Sequence, residues 1–476
     1  MMNGKPRFLL SILCVVVFAL PARAGQADTS RTGWESLPAI LHRIQPPTFP
    51  NRDFVITAFG AVGDSTTDCT AAFRRAIEAC SEAGGGRVVV PKGIYLTGAI
   101  HLRSNVNLYL VKGGVVRFST NPKDYLPVVY TRWEGVECMN YSPLLYAYEQ
   151  ENIAVTGNGV FDGQGAADNW WSWKGNAQDG WKKGMPNQKK ARTMLFALAE
   201  KGVPVAKRVF GEGSYLRPMF VQFYHCRNIL IEGVTFKDSP MWFLHPVLSR
   251  NVSVIGVTVE GLGPNNDGCD PESCTDVLIQ NCQFDTGDDC IAIKSGRNAD
   301  GRRVDVPSEN IVIQGCSMKD GHGGVVIGSE ISGGVRNIFV QDCVMDSPRL
   351  DRAVRIKTNS VRGGVVEGVY ARNIRVGQVA EAVLKINFFY EEGDTGPFTP
   401  VVRDIYLDRV TCQKGKYAIW IKGYERSPIR NLQFSDCVFN GIAEPNVLEA
   451  VQGVTISSVT LNGAPMSVPG HKGMAE

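Results

Sequence analysis

The chain has 476 residues, 44% of them hydrophobic and 20% charged, with 50 basic against 47 acidic side chains. Lys5 and Arg7, the apolar run from Phe8 to Leu20 and the small-x-small triplet Ala22-Arg-Ala24 read as an export signal over residues 1–24; Lys5, Arg7 and Arg23 leave with it, so 47 bases face 47 acids in the mature chain. That balance excludes nucleic-acid or membrane binding driven by net charge, and no later segment approaches the ~20 apolar residues of a span, so a soluble periplasmic or secreted protein is expected.

Residues 25–52 form a polar N-terminal extension. Phe54-Val-Ile-Thr-Ala-Phe-Gly60 then reads as a strand, and the spacing over Thr70–Cys80 predicts an amphipathic helix, capped by Asp68 or Thr67 and ended by Gly84–Gly86. From Arg87 to Phe118 short β-rich runs follow. One helix before a long series of strands suits a cap on the open edge of a repeat array.

From residue 227 a ten-residue phrase recurs, with an anchor followed by apolar side chains one, three, six and eight positions later. Arg227-Asn-Ile-Leu-Ile-Glu-Gly-Val-Thr-Phe236 is the first clear copy, and the anchors fall at 228, 251, 276, 310, 337, 368, 404, 431 and 453, a period of 22 to 36 residues. Period-2 alternation with no helix between copies predicts an all-β solenoid, and the handedness rule makes it a single-stranded right-handed parallel β-helix with an N-terminal capping helix. The catalytic domain is placed at 53–462, with a C-terminal tail over 463–476.

Cys282, Cys316, Cys343 and Cys437 occupy the sixth-position slot that Val234, Val257, Val410 and Val459 fill in other copies, so they read as core thiols. The twelve cysteines beyond the signal leave disulfides open, Cys269 and Cys274 being the nearest loop pair. An insertion over 164–220 breaks the pattern and carries Trp170, Trp171, Trp173 and Trp181 beside Lys174, Lys182, Lys183, Lys189 and Lys190. These tryptophans either stack on sugar rings or pack the insertion onto the coil.

A β-helix turns sequence phase into proximity. Asp288 and His322 each lie twelve residues past their anchors, and Asp267, Arg355, Lys357 and Tyr390 fall in the corresponding segments of neighbouring coils. The expected result is a stripe ordered Asp267, Asp288 with Asp289, His322, Arg355 with Lys357, and Tyr390. Three neighbouring carboxylates cannot all ionise freely, so one retains a proton at mild pH, which supplies an acid beside a base as glycoside hydrolysis requires. Arg355 and Lys357 supply local positive charge suited to a substrate carboxylate. A lone Asp-Asp pair is otherwise a common turn element, and a hard cation usually takes more oxygen ligands than these, so no metal or other cofactor is expected.

Asn265-Asn-Asp267, Gly287-Asp-Asp289, Gly321-His-Gly323 and Arg355-Ile-Lys357, in this order, resemble the four signatures of family 28 of the glycoside hydrolases, the polygalacturonase family, over about residues 53–462. Asn266 stands where threonine is common. The resemblance implies a pectin-lyase-like solenoid and inverting hydrolysis of α-1,4-galacturonosidic bonds in polygalacturonate or pectin. Asp288 would be the general acid, Asp267 and Asp289 would activate water, and His322 would support the acid. Arg355, Lys357 and Tyr390, with Asn265 nearby, would bind a galacturonate carboxylate. The run Gly321–Glu330 and the insertion are similar to bacterial exo-acting members. Rhamnogalacturonan or xylogalacturonan hydrolysis is the alternative within the family. A calcium-dependent pectate lyase and a non-catalytic polysaccharide-binding β-helix are alternatives outside it. The expected partner is an acidic polysaccharide, the protein acting as a monomer.

Overall fold

The computed structural model describes Met1 and residues 33–467. The expected export signal beyond Met1 and the last nine residues of the tail lie outside them. Parallel strands stack coil upon coil, giving the right-handed parallel β-helix that the repeat predicts. A typical coil contributes three strands, such as Thr275–Gln280, Gln283–Thr286 and Ile291–Ile293, each in register with its equivalent one coil on.

The phrase explains the coil. All nine anchors adopt a left-handed backbone conformation: Asn228, Asn251, Asp276, Asn310, Asn337, Gly368, Asp404, Asn431 and Gly453 have φ between +53° and +71°. Glycine takes that conformation freely and Asn or Asp tolerate it, which is why only these types occupy the slot. A second row lies five residues later, at Gly233, Gly256, Asn281, Gly315, Asp342, Asn373, Arg409, Asp436 and Ser458, also left-handed, where the chain bends from the first strand into the second. The four apolar positions of each phrase are buried in every copy from Ile229 to Phe439, so they form the interior.

Helix α1 spans Leu37–Arg43 and α2 spans Thr70–Glu82. The N-terminal extension is therefore not simply polar: Leu37, Ile40 and Ile44 pack outside the coil against Val312, Phe339 and Tyr370. Helix α2 buries Phe73, Ala76 and Ile77 in the main core, as a cap does. Cys69 occupies its N-cap position, and the Asp68 carboxylate instead accepts from the Thr70 N–H at 2.9 Å. The strand expected from Phe54 is shorter, Asp53–Val55, and continues as a 3-10 turn over Ile56–Phe59. Among the described residues all twelve cysteines are buried and free, so Cys269 and Cys274 do not pair. Their slots face the interior, where a thiol packs as valine does.

Within the insertion, α3 spans Lys189–Glu200, and α4 follows the site strand over Asn298–Val304. An antiparallel hairpin, Val129–Trp133 with Val136–Asn140, covers the outward face of the third-strand sheet. Arg132 holds it there, 3.4 Å from Glu137 on its own hairpin and 3.2 Å from Glu272 on the coil.

Candidate active site

Asp267, Asp288 and Asp289 lie in the turns that lead into the third strands of adjacent coils. Gly287 permits the approach, because a Cβ there would collide with the carbonyl oxygen of Gly263 in the preceding coil. One oxygen from each carboxylate lies within 4.8 Å of the other two. His322, equal in phase to Asp288, meets it twice. Its backbone N–H donates to the Asp288 carbonyl at 3.1 Å, and its Nδ1 lies 2.8 Å from Asp288 Oδ1. Asn265 donates from Nδ2 to Asp288 Oδ2 at 3.4 Å.

The predicted cations are close, on the row that the expected stripe gives them. Lys357 Nζ is 2.6 Å from Asp289 Oδ2, and Arg355 Nη1 is 3.7 Å from Asp289 Oδ1, although both bases lie two coils beyond the aspartate. The intervening coil offers glycine in that column: Gly328 separates Lys294 from Lys357 in the ladder, so the lysine reaches across. The Tyr390 ring lies beneath both cations, 5.4 Å from Arg355 and 5.3 Å from Lys357.

The environments divide the three acids. Burial, then the neighbouring Asp288 charge, pushes Asp267 well above the usual carboxylate range; Lys294, 3.7 Å away, offsets only part of this. Burial also pushes Asp288 up, but the hydrogen bond and charge of His322, aided by Lys357 and Lys294, outweigh it and hold that carboxyl low. His322 in turn is raised to about 9, first by its hydrogen bond to Asp288 and then by that charge. Asp267 Oδ1 and Asp289 Oδ1 are buried acceptors with no hydrogen-bond donor among the described residues.

Asn265, Asp267, Asp288, Lys294, His322, Lys357 and Tyr390 line a cavity of about 240 Å³. Larger hollows beside α2 and on another face gather no comparable cluster of carboxylates. One wall comes from outside the repeat: Glu134 in the hairpin turn accepts from Arg192 Nε of α3 at 2.7 Å. Arg297 lies 3.1 Å from Glu330, 3.3 Å from Glu391 and 3.4 Å from Glu392. Lys294 sits 4.4 Å over the Trp242 ring and 3.4 Å from Glu330. The repeat does not reveal the hairpin and α3 residues. Lys294 was legible, since it ends the strand entered from Asp289 and shares a column with Lys357.

The insertion's tryptophans pack. Trp170 is buried against Tyr125 and Trp173, and Trp171 donates to the Ser239 carbonyl at 2.9 Å. Trp181 bonds within the insertion, to the Met185 carbonyl. Of the five lysines beside them, Lys174 alone lines the cavity.

Residues 210–462 match the family described as Glycosyl hydrolases family 28, and residues 54–109 match one described as Rhamnogalacturonase A/epimerase, pectate lyase-like. A hyperthermoactive exopolygalacturonase from Thermotoga maritima superposes with a TM-score of 0.88 at 46% identity, over 91% of this chain and 96% of that one. The exo-poly-alpha-D-galacturonosidase of Dickeya chrysanthemi is 28% identical over 82% of this chain and 68% of its own length. A probable polygalacturonase of Vitis vinifera is 27% identical over 95% and 87% respectively. With a family match over more than half its length, a 46% identical solved relative that covers 91% of it and residues of all four signatures meeting at one cavity, the chain belongs to family 28 of the glycosyl hydrolases.

Proposed function

We propose that the protein hydrolyses α-1,4-galacturonosidic bonds of polygalacturonate or its oligomers from a chain end, with inversion, after export. The observation that carries this is the trio of carboxylates beside a histidine and a Lys/Arg/Tyr cluster, in a cavity walled by the hairpin and α3. The names of the Thermotoga and Dickeya relatives support the exo reading.

In this mechanism the bond from the anomeric carbon to the leaving oxygen breaks as that oxygen takes a proton from Asp288. Asp288 takes one from the His322 imidazolium, so the pair delivers a proton although its carboxyl is held low. A water donates to Asp267 Oδ1 and Asp289 Oδ1, attacks the opposite face and leaves its proton on Asp267, whose carboxyl is raised by burial and the Asp288 charge. Arg355 and Lys357 take a galacturonate carboxylate over Tyr390. The acids lie closer than the roughly 6.5–9.5 Å usual for inverting pairs, so inversion is read here from the family and not from their separation.

Product analysis on polygalacturonate by nuclear magnetic resonance and chromatography tests all of this at once. Monomer or dimer alone, first formed as the β-anomer and unaffected by chelator, is expected. A ladder of oligomers would sink exo action, a first-formed α-anomer would sink inversion, and an unsaturated ultraviolet-absorbing product would indicate a lyase.

A further inference from the structure

Besides His322, which pairs with Asp288, five lysine and arginine side chains line the cavity, and four have carboxylate partners within the protein: Arg192 with Glu134, Lys294 with Glu330, Arg297 with Glu330 and Lys357 with Asp289. Lys174 is the fifth. Among the described residues no carboxylate lies within ion-pairing distance of it, and its Nζ bonds only the neutral Asn265 Oδ1, which Arg217 Nη2 also approaches at 2.8 Å. An ammonium carries three donors, and this half-buried one spends a single donor on an amide oxygen that it shares, with Glu134 and Asp288 acting on its charge only from beyond ion-pairing distance. Burial accordingly pushes Lys174 below the usual lysine range.

The fold holds this cation in place. Lys174 ends the 3-10 turn Trp171–Lys174, which Gly175 closes at φ +84°. Trp171 anchors the turn to Ser239, and Trp173 packs against Tyr141, Trp170 and Tyr215. The turn is thus a rigid mount whose one chemically unspent group faces the cavity.

Its position decides the ligand. Lys174 bonds Asn265 of the Asp267 coil, whereas Arg355, Lys357 and Tyr390 come from coils beyond the carboxylate trio. A bond between two uronic acid units carries one carboxylate on each side, so a second cation is required opposite the first cluster. We propose that Lys174 binds the carboxylate of the substrate's terminal galacturonate, across the scissile bond from Arg355, Lys357 and Tyr390. This rests on the polygalacturonate reading above.

The test compares the unsubstituted protein, Lys174→Met and Lys174→Arg on digalacturonate and on digalacturonate methyl-esterified at its non-reducing unit. The unsubstituted protein should prefer the free acid by about tenfold or more in kcat/KM, the scale of one charged contact. Lys174→Met should raise KM for the free acid by a similar factor and bring the acid-to-ester ratio near one, while Lys174→Arg keeps most of the preference. An unchanged ratio in Lys174→Met, or an equal fall in kcat on both substrates, would overturn the proposal. In the second case Lys174 would act only through Asn265. Turnover of polygalacturonate by the unsubstituted protein reports separately on the parent reading; without it both fall.

Discussion

His322 and Asp288 hold one proton between Nδ1 and Oδ1, 2.8 Å apart, and the consequence is a pH window. His322 is raised from about 6.5 to about 9 by the pair, so its folded value lies above its unfolded one. Any stability the pair contributes is complete below the ordinary histidine range and is lost as pH rises through about 9. The same titration empties the proton reservoir that the proposed acid draws on. kcat/KM should therefore fall on an alkaline limb near pH 9, and on an acidic limb above the ordinary carboxylate range, where Asp267 must ionise to act as base. His322→Gln should lower kcat/KM by roughly a hundredfold, the size of a general acid–base contribution, and move the alkaline limb to lower pH. A limb that stays near pH 9 in that variant would show that His322 is not the titrating group.

The first strand of each coil carries a left-handed residue close to its start, and several of those residues stack. Asn337 donates to Asn310 at 3.1 Å, Asn251 to Asn228 at 2.8 Å, and Asn228 to Asn152 at 2.9 Å. The anchor row was legible because asparagine and aspartate both stack and tolerate positive φ. The second row, five residues on, carries the same signal in glycine, asparagine and aspartate at seven of nine copies, diluted by Arg409 and Ser458. At Asn310, with φ +56°, replacement by alanine loses the ladder bond and incurs left-handed strain, together about 2 kcal/mol. Asn310→Gly loses only the bond, about 1 kcal/mol. Chemical denaturation should therefore rank glycine as the milder substitution, the reverse of the usual order inside a strand. If alanine proved the milder, the anchor's backbone geometry would not be what selects its residue type.

Across the whole molecule, what the sequence reveals follows from where the repeat reaches. Asp288 and His322 were found by counting phase because coils convert equal phase into contact, and Lys357 was found on its expected row, from which its long side chain reaches Asp289 across the His322 coil. Glu134, Arg192 and Arg297 were not found, since they come from a hairpin, an inserted helix and a loop for which no period fixes a position. The cysteines show the same logic from inside. Cys282, Cys316 and Cys343 follow one another in a single slot of three successive coils, yet each thiol substitutes for a valine methyl and none is bridged. Stability then rests on the stacked apolar interior and not on cross-links. The thermal midpoint should accordingly be the same with and without dithiothreitol. Denaturation without reductant should expose twelve thiols to a thiol reagent in protein lacking residues 1–24. A midpoint that falls with reductant, or a titre of ten, would mean that two of these buried cysteines pair after all, with Cys269 and Cys274 the first to examine.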